Sequence, residues 1–170
     1  MKKLLLISIL VITVDLSAQG KTDPTNQFTI EGKVKNQLSY SLKDLTTFAP
    51  KLIDNVVIYN HLMERKKTIR LIKGVLLKDI IDKAVIDVSS PKLLSEFYIT
   101  CIALDNYKVV FSWNEIYNSA IGEQVMIISE SNGQTGNQMP DRIALLSASD
   151  PATGRRYVKG LQKIVIEQVK

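Results

Sequence analysis

Chemistry in this chain has few places to reside. One imidazole, His61, and one thiol, Cys101, serve 170 residues. Any Ser-His-Asp or Cys-His nucleophile would have to work through His61. A Cys/His zinc site, which needs about four ligands, and an internal disulfide are both excluded. His61 ends an apolar run as Tyr59-Asn60-His61. An imidazole there is either a surface or structural group, or a ligand contact and proton carrier. The second concentration of chemistry is Gly154-Arg155-Arg156-Tyr157-Val158-Lys159-Gly160. Its cations can grip a phosphate or carboxylate, and its glycines let a ligand approach the backbone; the alternative is a solvated basic loop. Arg142 is a further cation for the same surface. No G-x-S-x-G elbow, dinucleotide fingerprint or P-loop occurs, so the familiar serine-hydrolase and nucleotide chemistries are not signalled.

These groups need elements to hold them. Alternation over 28–34 predicts a half-buried strand, and Ser41 is a fitting N-cap for a short helix bounded by Pro50. A second strand over 56–59 delivers His61 at its end. Residues 63–67 read as an exposed charged turn, and 68–74 as a strand. Leu76, Leu77, Ile80, Ile81, Ala84 and Val85 recur at helical spacing and mark the clearest helix. Strands over 97–104 and 107–113 meet at an Asp105-Asn106 hairpin turn. Their alternation sets Cys101 among large apolar side chains, where a thiol is inert. Asn114 is expected to cap a helix through Ser119. Strands follow over 124–129, 142–146 and 163–169, separated by a polar stretch over 130–141 and a loop over 150–154. Strands outnumber helices in mixed order, so the expected class is α+β, a mostly β core with short helices.

Met1-Lys2-Lys3, an uncharged run over 4–14 and the small residues Ser17 and Ala18 form the pattern of a signal peptide over 1–19. The run is shorter than the roughly 20 apolar residues that span a bilayer. A flexible lead-in over 20–27 and one domain over 28–170 complete the organisation. Export implies a periplasmic or secreted protein with no stable membrane anchor after cleavage. The net charge of +5 is not gathered into a long basic stripe, so nucleic acid is not an expected partner. Hydrophobic content of 45% with 23% charged residues is that of a globular chain.

Five phrases stand in a telling order. They are Phe28-Thr29-Ile30-Glu31-Gly32 with Ser41-Leu42-Lys43-Asp44-Leu45, then Lys73-Gly74-Val75-Leu76-Leu77-Lys78-Asp79-Ile80-Ile81, then Asp105-Asn106-Tyr107-Lys108, and finally Tyr157-Val158-Lys159-Gly160-Leu161-Gln162-Lys163-Ile164. Together they resemble the molybdopterin-binding domain of sulfite oxidase-type oxidoreductases. The resemblance implies that family's mixed fold and a molybdopterin ligand, with Lys159 near the pterin phosphate and Arg155 and Arg156 beside the same anion. Redox-active members hold molybdenum through a cysteine at the end of the strand before the Gly-Val helix. That neighbourhood is here Val57-Ile58-Tyr59-Asn60-His61, without a cysteine, and Cys101 lies after the helix. A soft metal would lose its principal protein bond. The resemblance therefore places Asn60, His61, Arg155, Arg156 and Lys159 at the cofactor site and supplies no metal ligand. The expected function is an exported molybdopterin-binding-like domain that takes an anionic pterin-type ligand or a protein partner, without ordinary molybdenum redox catalysis. The alternative is an active molybdopterin-dependent oxidoreductase with unusual ligation. A pterin-type cleft requires His61 and the 155–159 segment to face one pocket.

Overall fold

The computed structural model describes residues 25–170; the expected signal peptide and most of the lead-in lie outside the described residues. Alternating apolar and polar residues build two sheets. The first has the order β2 (Leu38–Ser41), β1 (Gln27–Gly32), β11 (Leu161–Gln168), β5 (Phe97–Ala103), β6 (Lys108–Ser112). Its β1–β11 pair is parallel and the rest antiparallel. The second runs β10 (Tyr157–Lys159), β9 (Ala144–Ser147), β7 (Val125–Ser131), β4 (Arg65–Leu76), β3 (Lys51–Tyr59). The short β8 (Gln134–Thr135) pairs with β7 inside the polar stretch over 130–141. All pairs of this second sheet are antiparallel.

The main core lies between the sheets. Phe28, Phe97, Ile99, Phe111 and Ile164 of the first meet Val75, Val125, Ile127 and Leu145 of the second. Helix α1 (Leu77–Ala84) adds Leu77, Ile80, Ile81 and Ala84, the expected stripe without its two ends. Val85 lies beyond the helix at φ 58° and is exposed. Cys101 is fully buried in this core. Burial pushes its thiol far up from the ordinary value, which fits the expected inert group. A second cluster, with Ile58, Ile69, Met126, Ile128, Leu146 and Tyr157, covers the opposite face of the second sheet. Strands β7 and β9 are consequently buried on both faces, which explains their unbroken apolar runs Val125–Ile128 and Ala144–Leu146.

The two expected caps fare differently. Ser41 ends β2, and its Oγ accepts from the Asp44 N–H at 3.4 Å where a 3-10 turn over Asp44–Thr47 begins, with Lys43 rather than Ser41 at the N-cap position. The Asp44 carboxylate accepts hydrogen bonds from both the N–H and the hydroxyl of Ser41. Helix α2 (Trp113–Tyr117) is capped by Ser112, not Asn114. Ser112 Oγ accepts from the Glu115 N–H at 3.1 Å, and Glu115 Oε2 accepts from the Ser112 N–H at 2.8 Å. This reciprocal box outcompetes a lone asparagine because it satisfies two orphan donors at once. Replacing Ser112 with alanine is expected to lower stability by about 1 kcal/mol, read as a shifted urea midpoint with unchanged slope.

Candidate anion-binding site

The chain changes sheets at Gly160, whose φ of 61° suits a residue without Cβ. Just before that corner, β10 carries Tyr157 and Lys159, and the preceding 3-10 turn over Thr153–Arg156 carries Arg155. The segment expected to be one basic loop is thus a helical turn followed by a strand. The turn is tied to the outer edge of β3. Thr153, buried, donates from Oγ1 to the Val57 carbonyl at 2.7 Å and accepts from the Tyr59 N–H at 2.9 Å. Gly154 then lies so close that a Cβ there would stand 2.6 Å from the Tyr59 carbonyl oxygen.

This docking creates a pocket of about 490 Å³. Asn60 and His61 at the end of β3, Lys66 and Lys67 at the start of β4, and Arg155, Tyr157 and Lys159 all line it. Tyr107 arrives from the first sheet, delivered by the Asp105-Asn106 hairpin, and its hydroxyl donates to the Arg155 carbonyl. Four of the five expected site residues, Asn60, His61, Arg155 and Lys159, therefore share one pocket. Arg156 does not join them. Its guanidinium is held by Asp150 through Nε and Nη2, both at 2.6 Å, and by Glu115 through Nη1 at 2.8 Å, 4.5 Å above the Phe111 ring. It is a clamp for the turn and does not line the pocket. Arg142 does not line the pocket either; it bonds to Asn26 and borders a neighbouring cavity with Lys67 and Tyr157.

Sequence reasoning missed Lys66, Lys67 and the tyrosines. The signal was the Arg65-Lys66-Lys67 run, read as a turn although it opens a strand. Alternation along that strand separates the two lysines' roles. Lys66 pairs with Glu64 at 2.8 Å. The Lys67 ammonium lies 5.1 Å from the Tyr157 ring centre, and that of Lys159 lies 5.6 Å from the same ring. Neither ammonium, nor the Arg155 guanidinium, makes a side-chain hydrogen bond or ion pair within the described residues. Partial burial, and then the charge of Lys159, hold the Lys67 ammonium below the ordinary lysine range. The Asp141 charge opposes this shift and offsets only part of it, so the cluster keeps an excess of positive charge that an anion would relieve. The Asp141 carboxylate also accepts a hydrogen bond from the Tyr157 hydroxyl at 3.0 Å and keeps its negative charge.

No family model matches the chain, and no curated protein matches it. Among solved structures, the crystal structure of the sulfane dehydrogenase SoxCD from Paracoccus pantotrophus is similar with a TM-score of 0.62 and 15% identity. The match covers 86% of this chain and 39% of that chain, so this chain spans well under half the length of its neighbour. The likeness shows the fold: an α+β, mostly β domain of the sulfite oxidase type.

The cofactor implied by the resemblance can be tested against the donors present. No thiol lines the pocket, because Cys101 sits on β5 inside the core between the sheets. Among the described residues, no three His, Cys, Asp or Glu side chains gather as metal ligands do. The pocket's donors do not fit a thiolate-held molybdenum centre. They do fit an anionic group, since its lining offers cations and phenols.

Proposed function

We propose that this chain is an exported molybdopterin-binding-like domain whose pocket binds a small anion, of pterin-phosphate type, without ordinary molybdenum redox catalysis. The observation that supports this most is the pair of ammonium groups over the Tyr157 ring with Arg155 beside them, none of the three in an ion pair among the described residues. In this reading Lys67, Lys159 and Arg155 hold the phosphate. Tyr107, Tyr157 and the imidazole of His61 flank the rest of the ligand, and Asn60 shapes the pocket's wall. No electron transfer is assigned to these residues.

Calorimetric titration with inorganic phosphate and with a phosphorylated pterin tests it. The double variant K67M/K159M is expected to lose at least about tenfold in affinity for both, since each charge-assisted contact contributes about 1.5–3 kcal/mol before screening. Unchanged affinity would overturn the proposal. Affinity is also expected to fall as pH rises into the alkaline range. The Lys67 ammonium is already held below its usual value by burial and Lys159, so an anion favours its charged form and binding takes up a proton there. Titration in two buffers of different ionisation heat would detect that uptake. Protein made in a molybdopterin-competent host is expected to carry no stoichiometric molybdenum; finding it would favour the oxidoreductase alternative instead.

A further inference from the structure

The β3–β4 turn beside the pocket exposes apolar side chains in an ordered setting. Asn60 organises it, because its Oδ1 accepts from the N–H groups of Leu62 and Glu64 at 3.0 and 2.9 Å, and its Nδ2 donates to Glu64. The Met63 N–H closes the turn on the Asn60 carbonyl at 3.0 Å. Held at its tip are Leu62, 65% exposed, and Met63, 53% exposed. Met63 stands at φ 60°, a conformation in which glycine or asparagine is the unstrained choice. An exposed methionine there gains nothing for the fold from its side chain.

Directly behind the tip come Arg65, Lys66 and Lys67, all exposed, and across the pocket Arg155 and Lys159, also exposed. Glu64 is the sole acid in the turn, and Lys66 neutralises it. Apolar side chains foremost with a cationic tier behind them match the layers of a bilayer surface, acyl chains beneath anionic headgroups. A protein partner would more commonly meet an apolar centre ringed by mixed charges.

We propose that the tip formed by Leu62 and Met63 inserts into an anionic lipid surface, with the headgroup phosphate seated in the pocket among Lys67, Arg155 and Lys159. This rests on the anion-binding reading of the pocket and puts a lipid headgroup phosphate in the place given there to the pterin phosphate. One small apolar tip plus basic side chains would give a peripheral and reversible contact.

The test is vesicle co-sedimentation of the chain begun at Gly20. That chain keeps every described strand and core side chain, from Gln27 to Gln168, and lacks the apolar run over 4–14. Vesicles are phosphatidylcholine alone, or with a third replaced by phosphatidylglycerol. Binding is expected only to the anionic vesicles and is released by salt. The variant L62S/M63S is expected to lose at least about tenfold in vesicle affinity, with its affinity for inorganic phosphate and its melting curve unchanged. Phosphate binding without vesicle binding overturns the lipid proposal alone and leaves the tip to a protein partner. Vesicle binding that ignores L62S/M63S overturns the insertion. Loss of both phosphate and vesicle binding in K67M/K159M, with wild-type vesicle binding intact, supports the shared pocket. Absence of phosphate binding in the wild type overturns the anion reading itself.

Discussion

Replacing Arg156 with alanine is expected to destabilise the fold by about 2–4 kcal/mol. The guanidinium is mostly covered, with its side chain 20% exposed, and Asp150 beneath it is 13% exposed. Removing the cation strands one carboxylate that is largely desolvated and another, on Glu115, that is about one third exposed. The exposure of Glu115 lowers that part of the loss, because solvent screens it. The Phe111 ring also loses the guanidinium stacked 4.5 Å from its centre. A lysine in the same place keeps the charge but not the two-pronged contact with Asp150, so R156K is expected to recover only part of the loss. The pH dependence gives an independent check. Burial pushes the Glu115 carboxyl up, but the Ser112 N–H and the Arg156 guanidinium outweigh it, and the net shift is downward. A lowered carboxyl contributes stability that is present above its unfolded value and is lost as pH falls through its folded value. The gap between wild type and R156A should therefore narrow in strong acid, below the ordinary carboxylate range. Urea midpoints of both proteins at neutral and acid pH would show it. A gap that stays constant would mean that Arg156 acts through packing on Phe111 alone.

Thr153→Val is expected to cost about 2–3 kcal/mol and to weaken phosphate binding as well. Valine has the shape of threonine, so the change removes only the hydroxyl. That hydroxyl both donates and accepts, satisfying the Val57 carbonyl and the Tyr59 N–H on the outer side of edge strand β3. Without it, two backbone groups at a buried contact lose their partners. The same bonds fix the turn bearing Arg155 against the strand bearing Asn60 and His61. The variant should thus show a loss of affinity larger than a surface mutation gives, with all pocket side chains still present. T153S, which keeps the hydroxyl, is expected to retain most of both properties. If T153V matched the wild type in stability and affinity, the turn would be held by Gly154 and the Arg156 clamp without it.

The two variants separate roles that looked alike in the sequence. Arg155 and Arg156 are adjacent and chemically identical, and local reasoning assigns both to the anion. In the fold they point to different worlds: Arg155 into the open pocket, and Arg156 into a carboxylate cage that joins the capping box of α2 to the turn before β10. Lys67 shows the reverse. It reads as part of a solvated turn, yet the β3–β4 pairing carries it to the same ring as Lys159, which lies far along the chain.

By itself, the sequence determined whatever repeats at the period of one element. Alternation placed Phe97, Ile99 and Cys101 on one face of β5, and all three are buried. Helical spacing picked out Leu77, Ile80, Ile81 and Ala84 as the inward stripe of α1. Asp105-Asn106 set the hairpin that positions Tyr107, with Asn106 at a φ of 66°. These features depend on neighbours a few residues away, and the pattern of residue types encodes them directly. Tertiary structure alone decided which cations meet. The partners of Arg156, the approach of Gly154 to Tyr59 and the shared ring beneath Lys67 and Lys159 arise where two sheets and a turn converge across long stretches of chain. No local period records such a convergence, because it is set by strand order and register. Those are fixed by burying the apolar faces of both sheets at once.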